Sequence, residues 1–264
     1  MSEAKRFQDQ VVLVTGGGTG LGLELSRRFL EEGARVVVVA SRDPEHHQGI
    51  LKAGEKYPGT VDSVKLDVRE SDRVHEAFQD VAKRHGRLDV LICNAAGNFV
   101  APSLRLRAKG WKAVIDIVLS GTFYCSQAAG RIMRKQERGG SIVTIGATYA
   151  WTGMPYVAHS AAAKAGVLAL TRSLAVEWAE HGIRVNCVAP GAFHSEGARQ
   201  NLWPSEEASR QIEQAVPLKR FARVEEVASA VLYLASSEAA YITGECLTVD
   251  GGNWLGKGLF RPEG

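Results

Sequence analysis

Residues 15–22 read Thr-Gly-Gly-Gly-Thr-Gly-Leu-Gly, a spacing suited to holding a phosphate against bare backbone. Gly16, Gly18, Gly20 and Gly22 let the chain turn sharply and approach a ligand closely. The turn follows a strand pattern and opens a helix pattern. With Thr19 and Leu21 at its start, that helix presents unpaired N–H groups and a partial positive charge to a pyrophosphate. The chemistry implied is dinucleotide binding. The alternative, a glycine-rich turn with no ligand, does not explain the strand before it and the helix after it.

The kind of dinucleotide is read at the end of the second strand pattern. An acid there would grip a ribose 2′-OH and repel a 2′-phosphate. The chain has Ala40-Ser41-Arg42 instead. Ser41 can donate a hydrogen bond, and Arg42 can pair with phosphate as a charged fork. Asp43 lies beyond the strand end. NADPH/NADP+ is therefore favoured over NADH, unless Arg42 is only a solvated surface charge. Asp67, with Val68 beside it, closes the third strand pattern. Its carboxylate would accept from an adenine amino group, or else cap a turn. Asn94-Ala95-Ala96-Gly97 follows the fourth strand pattern at the same edge, where open α/β sheets bind ligands.

These residues need a scaffold that brings strand ends together. Short apolar runs at 11–15, 35–41, 63–68, 88–93, 141–145, 184–188 and 245–249 alternate with helix patterns. They are too uniformly apolar for a half-exposed antiparallel sheet. Leu21, Leu25 and Phe29 share one helical face, as do Val74, Phe78 and Val81. Gly33 and Gly86 stand where helices should stop. The pattern predicts one Rossmann-type, doubly wound α/β domain over residues 1–264, a parallel sheet with helices on both faces. Residues 192–214 interrupt the alternation and read as an inserted loop with a short helix.

The bulk numbers narrow the class. The 264 residues are 45% hydrophobic and 23% charged, with a net charge of +3 and no block of five like charges. That balance suits a soluble globular protein and gives no footprint for nucleic acid. Cys93, Cys125, Cys187 and Cys246 show no metal spacing and read as buried free thiols, so no metal site is expected. No apolar run is long enough to span a membrane, and no targeting segment is visible. A cytoplasmic enzyme is the expectation.

Three further features complete a pattern with the glycine turn and Asn94-Ala95-Ala96-Gly97. They are Lys164 in a helix pattern, Pro190-Gly191 after the sixth strand pattern, and Val249-Asp250-Gly251-Gly252. Over nearly its whole length the chain resembles the short-chain dehydrogenase/reductase family. The resemblance implies a nicotinamide cofactor, a seven-stranded parallel sheet and a tetramer or dimer. It adds Lys164, Pro190 and Gly191 to the cofactor-binding residues.

The departures are sharper than the matches. The family's usual tyrosine, four residues before the lysine, is Ser160 here. Its usual serine is Ala147, and its usual helix asparagine is Val118. Carbonyl reduction by the ordinary mechanism lacks its acid. Tyr149, after the fifth strand pattern, and Asn98, after the Asn94 segment, offer replacements. This arrangement is similar to the 2,4-dienoyl-CoA reductases of the family, in which the tyrosine comes from that loop and a serine takes the ordinary tyrosine place. Segments 94–99, 116–119 and 196–198 share the likeness. Segments 159–164 and 184–190 look as much like trans-2-enoyl-CoA reductases. Both groups reduce a C=C bond conjugated to a thioester.

Such chemistry puts negative charge on the thioester oxygen, which needs positioned donors. The resemblance gives Tyr149 O–H and Asn98 N–H that role. Lys164 would hold the nicotinamide ribose and depress the tyrosine pKa. Ser160, one turn earlier, would share the nicotinamide side. With a dienoyl-CoA substrate, hydride goes to the δ-carbon and a proton, from water, to the α-carbon, giving a 3-enoyl thioester. Plainer readings stand beside these: Tyr149 as a packed loop aromatic, and Asn98 as a turn residue. Tyr156, the rival acid, lies eight residues before Lys164, ~12 Å along a helix if one extends so far. His159 reads as structural. Phe99 and Phe193 are expected to touch substrate. Phe193, Leu202 and Trp203 form either an acyl-chain lid or an anchor to the core. Arg105, Arg107 and Lys109 meet carrier phosphates or only water. Long helices at about 111–133 and 156–178 predict a homotetramer. Two other functions compete with thioester reduction: a carbonyl reductase acting on a sugar, steroid or 3-oxoacyl thioester, and a nucleotide-binding regulatory protein without catalysis.

Overall fold

A computed structural model describes residues 5–57, 61–193 and 205–255. In chain order the elements are β1 (Val11–Thr15), α1 (Gly20–Glu31), β2 (Val36–Ser41), α2 (Gln48–Gly54), β3 (Val61–Lys65), α3 (Ser71–His85) and β4 (Val90–Cys93). There follow α4 (Ala108–Ile115), α5 (Gly121–Met133), β5 (Gly140–Ile145), α6 (Tyr149–Thr152) and α7 (Ala158–Trp178). The chain continues through β6 (Ile183–Pro190), α8 (Glu206–Ala215), α9 (Val224–Ala235) and β7 (Cys246–Val249). The strands make one parallel seven-stranded sheet in the order β3-β2-β1-β4-β5-β6-β7.

Every residue of β1, β2 and β4 is buried, as a sheet covered on both faces requires. Alternate residues serve alternate faces. Val12 and Val14 pack with Leu25 and Phe29 of α1 and Val227 and Val231 of α9. Val11 and Leu13 pack with Val74, Phe78 and Val81 of α3, Met133 of α5 and Leu174 of α7. Gly86 ends α3 in the left-handed conformation, φ 78°.

The third strand differs from its expected place at 63–68. It runs Val61–Lys65, half-buried with an exposed end. Leu66 and Val68 are buried, but they belong to the packing of the turn beyond the strand, where Glu70 N–H bonds back to the Asp67 carbonyl at 3.1 Å. The helix expected at about 111–133 is α4, a single π-helical turn (Asp116–Ser120) and α5. The helix expected from 156 begins at Ala158, with Tyr156 outside it at φ 64°.

The sheet order reverses direction between β1 and β4, and the crevice at that switch is where open α/β sheets bind ligands. Thr15, buried at the end of β1, holds it together. Its Oγ1 accepts the N–H groups of Asn94 and Ala95, each at 3.0 Å, and donates to the Ile92 carbonyl at 3.3 Å. Asn94 Nδ2 donates back to the carbonyls of Thr15 (3.0 Å) and Gly16 (3.1 Å). Thr15→Val keeps the shape and removes the acceptor. It should cost about 1–3 kcal/mol of stability in chemical denaturation and weaken nicotinamide dinucleotide binding, whereas Thr15→Ser should retain both. A Thr15→Val protein with parental stability would show that the latch carries no energy.

Candidate active site

The glycine turn is a cradle in which side chains have no room. Gly16 has φ +63°, and a Cβ on Gly22 would stand 2.0 Å from the Gly16 carbonyl oxygen and 2.7 Å from Asn94 Nδ2. A Cβ on Gly18 would stand 1.8 Å from the carbonyl oxygen of His46. α1 begins at Gly20, and Thr19 makes no side-chain cap, so the first amides remain for a ligand. Bare backbone and an uncapped helix start fit a dinucleotide pyrophosphate. Ala95 and Ala96 follow the latch, half-buried and exposed respectively, while the Asn94 amide is spent on Thr15 and Gly16.

At the end of β2, Ser41 is buried and Arg42 exposed. Asp43 accepts the Glu45 N–H at 3.0 Å and caps the short 3-10 turn Pro44–His47, so its carboxylate is engaged in holding that turn. His46, which the sequence reading passed over, brings Nδ1 to 3.4 Å from Ser41 Oγ. Pro44 marks a turn in the sequence but not the direction in which that turn folds. Asp67 stands two residues past β3, its carboxylate taking the Arg69 N–H (3.1 Å) and Nε (2.9 Å). Arg69, foremost, holds this carboxyl below the usual carboxylate range. The expected adenine contact would share that carboxylate with Arg69. Val68 is buried against Gly121 at the start of α5.

Beyond β5 the structure brings Tyr149, Ser160 and Lys164 together. Tyr149 opens α6 directly after the β5 loop, and its hydroxyl lies 3.1 Å from Ser160 Oγ. Trp151, on the same short helix, stacks on Trp254 beyond β7 with centroids 5.5 Å apart, which fixes α6 from its outer side. Ser160 and Lys164, one turn apart on α7, are both buried. Lys164 Nζ donates to the Ile145 carbonyl at 2.6 Å. Burial pulls its pKa down to about 8, partly offset by the neighbouring Cys187 and Cys93 thiols. One expectation is corrected here. Tyr149 has its pKa raised, because burial outweighs the hydrogen bond from Ser160; Lys164, turned onto a backbone carbonyl, does not depress it. Ser160, expected on the nicotinamide side, is also within hydrogen-bond reach of the tyrosine hydroxyl.

Asn98 accepts the Phe99 N–H through Oδ1 at 2.9 Å, and among the described residues its amide NH2 has no protein partner. No hydrogen bond joins it to Tyr149. The Phe99 ring meets His159 edge-on at 4.4 Å. His159 is buried with neither ring nitrogen partnered, and burial lowers its pKa. Tyr156 is 56% exposed, and its carbonyl accepts the Ala101 N–H at 2.8 Å. The helical-rise argument against it does not apply, since α7 starts after it.

Val118 is buried within the π turn beside Ala163 and Val167, so apolar packing fills the place of the usual asparagine. Pro190 ends β6, and a Cβ on Gly191 would lie 2.5 Å from Asp250 Cβ. Phe193 is half-buried against the α1–α9 core layer and bridges Ala222 through its backbone; this is the anchoring alternative. Leu202 and Trp203, with most of the expected lid, lie outside the described residues. Arg105, Arg107 and Lys109 are exposed. Cys93, Cys125 and Cys187 are buried free thiols, while Cys246 is half-buried.

The lysine carries a pH signature. Below about pH 8 it is charged in both folded and unfolded chains, and the folded chain bears the full cost of burying that charge. Between about 8 and 10.5 the folded chain has released the proton and the unfolded chain has not, so stability rises with pH across that window. Without coenzyme, Lys164→Met should be the more stable protein at pH 7 by up to ~3 kcal/mol, with the gap closing by pH 10.5. A gap that stays constant in thermal or urea denaturation would show that charge burial is not its cause.

Residues 16–253 match the family model described as enoyl-(acyl carrier protein) reductase. The chain is 45% identical over 250 residues to a probable 2,4-dienoyl-CoA reductase, (2E)-enoyl-CoA-producing, of Bacillus subtilis (strain 168), covering 94% of this chain and 98% of that one. It is 38% identical to a peroxisomal 2,4-dienoyl-CoA reductase, (3E)-enoyl-CoA-producing, of Danio rerio, covering 94% and 83%. The crystal structure of a short chain dehydrogenase from Bacillus anthracis superposes with a TM-score of 0.87 at 43% identity, covering 97% of this chain and all of that one. Matched in sequence and in fold along almost its entire length, the chain belongs to the short-chain dehydrogenase/reductase family and is an oxidoreductase.

Proposed function

We propose that this oxidoreductase uses NADPH to reduce a conjugated 2,4-dienoyl-CoA to a 3-enoyl-CoA. The observation that carries the reading is the Tyr149 hydroxyl on Ser160, one turn ahead of the buried Lys164. A hydroxyl is therefore available beside the lysine although residue 160 is not tyrosine. The names of the bacterial and fish relatives point to the same substrate class.

The nicotinamide, when bound, supplies a hydride. The chain's residues then have to hold the charge that develops on the thioester oxygen. Tyr149, with its pKa raised by burial, stays protonated and serves as an O–H donor. Asn98, whose NH2 has no protein partner among the described residues, is the second donor. Two such donors in a buried site form an oxyanion hole. Ser160 fixes the tyrosine hydroxyl, and the Lys164 ammonium adds positive charge beneath the site. Hydride at the δ-carbon and a solvent proton at the α-carbon leave the double bond between the β- and γ-carbons, the (3E) outcome. Protonation at the γ-carbon would give the (2E) product named for the Bacillus relative. A second reading, reduction of a trans-2-enoyl thioester, is favoured by the description of the matched family model. The proposal takes the enzyme as a cytoplasmic homotetramer whose contacts include the exposed Trp111, Phe123 and Val176; no helix among the described residues is long and apolar enough to cross a membrane.

Turnover of a dienoyl-CoA, an enoyl-CoA and a 3-oxoacyl-CoA, with NMR assignment of the products, tests the substrate. Tyr149→Phe should lower dienoyl-CoA turnover about a hundredfold to a thousandfold with folding and NADPH affinity kept. Ser160→Ala should be milder and Tyr156→Phe close to neutral. Near-normal turnover in Tyr149→Phe together with its loss in Tyr156→Phe would reassign the acid.

Coenzyme choice rests on Arg42 and on the absence of an acid at Ala40 and Ser41. A charge-assisted bond to phosphate is worth ~1.5–3 kcal/mol, so NADPH should bind about tenfold to a hundredfold more tightly than NADH. Arg42→Ala should weaken NADPH selectively. Equal dissociation constants for the two coenzymes in the parent protein would defeat this choice.

A further inference from the structure

The turn Pro44–His47 makes two contacts with the cofactor-binding edge. Its backbone leans on the glycine turn, where the His46 carbonyl leaves no space for anything larger than glycine at position 18. Its side chain reaches the end of β2, where His46 Nδ1 stands 3.4 Å from Ser41 Oγ. His46 and Arg42 are exposed, and Ser41, which precedes Arg42, is buried. One residue therefore spans the pyrophosphate turn and the strand end at which the adenosine ribose is read.

We infer that His46 is a specificity-determining residue that completes, with Ser41 and Arg42, a three-sided cradle for the 2′-phosphate of the coenzyme. The inference rests on the NADPH reading above. The donor set suits a phosphate monoester: a guanidinium fork, a hydroxyl and an imidazole N–H can each meet a different acceptor oxygen. The two acids beside Arg42 are engaged elsewhere, Asp43 on the Glu45 N–H and Asp67 on Arg69. The Ser41 contact holds the imidazole near the site before a ligand arrives, so less side-chain freedom is lost on binding. The supporting role of the turn for Gly18 belongs to the His46 carbonyl, which every substitution at 46 other than proline retains in kind. The side chain can therefore be tested apart from the backbone.

The experiment titrates the full-length protein with 2′,5′-ADP and with 5′-AMP by calorimetry, a readout free of turnover. The parent should bind 2′,5′-ADP the more tightly. His46→Ala should weaken 2′,5′-ADP about threefold to tenfold, the worth of one hydrogen bond, and leave 5′-AMP unchanged. His46→Gln, which restores a donor of similar reach, should recover part of the loss. An unchanged ratio of the two affinities in His46→Ala, with Arg42→Ala abolishing it, would overturn the role of His46 and leave the coenzyme reading standing. An equal loss for both ligands would also overturn it, because the side chain would then serve the turn as a whole. Equal binding of both ligands by the parent would overturn the coenzyme reading, and the cradle with it.

Discussion

The binding edge depends on a latch at the point where the sheet reverses. The backbone ladder between β1 and β4 ends at Val14 and Ile92, one residue short of the place where ligand-binding loops leave the sheet. Beyond it the two chains depart in opposite directions, and main-chain pairing can no longer hold them. Thr15 Oγ1 takes over by accepting two successive N–H groups, and Asn94 answers with two bonds from its amide. The packing of α1 follows from this. Gly22 must be bare because the Asn94 amide and the Gly16 carbonyl already occupy the space beside it. The glycine turn is thus shaped from below by the latch as much as by its own flexibility, and the helix start that faces a pyrophosphate inherits its position from both.

At the other end of the crevice, burial sets the electrostatics. It raises the tyrosine pKa, lowers that of Lys164 to about 8 and pushes the Cys93 thiol up to about 12. Each shift is towards the neutral form, although Lys164 keeps its charge below about pH 8. A buried site with fixed donors responds strongly to charge that appears within it, because few mobile dipoles are present to screen the interaction. In the proposed reaction that charge is the thioester oxyanion. The raised tyrosine pKa is useful there: a group that resists ionisation keeps its proton and donates, whereas a group tuned to ionise would compete with the oxyanion for negative charge.

Much of this was legible in the sequence. Uninterrupted apolar runs identified the strands of a doubly covered sheet, and the glycine spacing placed the nucleotide end. Tyr149 was locatable because it follows a strand at the crevice edge. The misplacement of β3 shows the limit of apolarity as a signal. Leu66 and Val68 are buried as the pattern implies, yet they pack a turn, and burial does not distinguish a turn from a strand. The π turn at Asp116–Ser120 has no sequence mark because it differs from an α-helix only in which carbonyl each amide reaches. His46 was missed since its proximity to Ser41 is made by a turn whose direction depends on Gly18, a tertiary contact. The assumed pull of Lys164 on the tyrosine failed for a similar reason: sequence spacing brought the lysine near, but a backbone carbonyl claimed its ammonium.

The proposed displacement of the tyrosine to position 149 would be one linked change. Ser160 is 1% exposed, so whatever stands there must fit a filled space. The Tyr149 hydroxyl, arriving from the β5 side, already occupies the volume next to the Ser160 oxygen. A tyrosine ring at 160 would have to enter that same volume, and overpacking of this kind is resolved only by moving the neighbours. The small residue at 160 and the large one at 149 therefore require each other. Val118 belongs to the same arrangement. It packs against Ala163 and Val167, on the helix that bears Ser160 and Lys164, and an asparagine there would bring an amide into an apolar cluster where it must find partners or carry an unpaired polar group. Changing residue 160 alone would not recreate the ordinary site of the family, because the ring, the space it fills and the apolar support behind the helix have moved together.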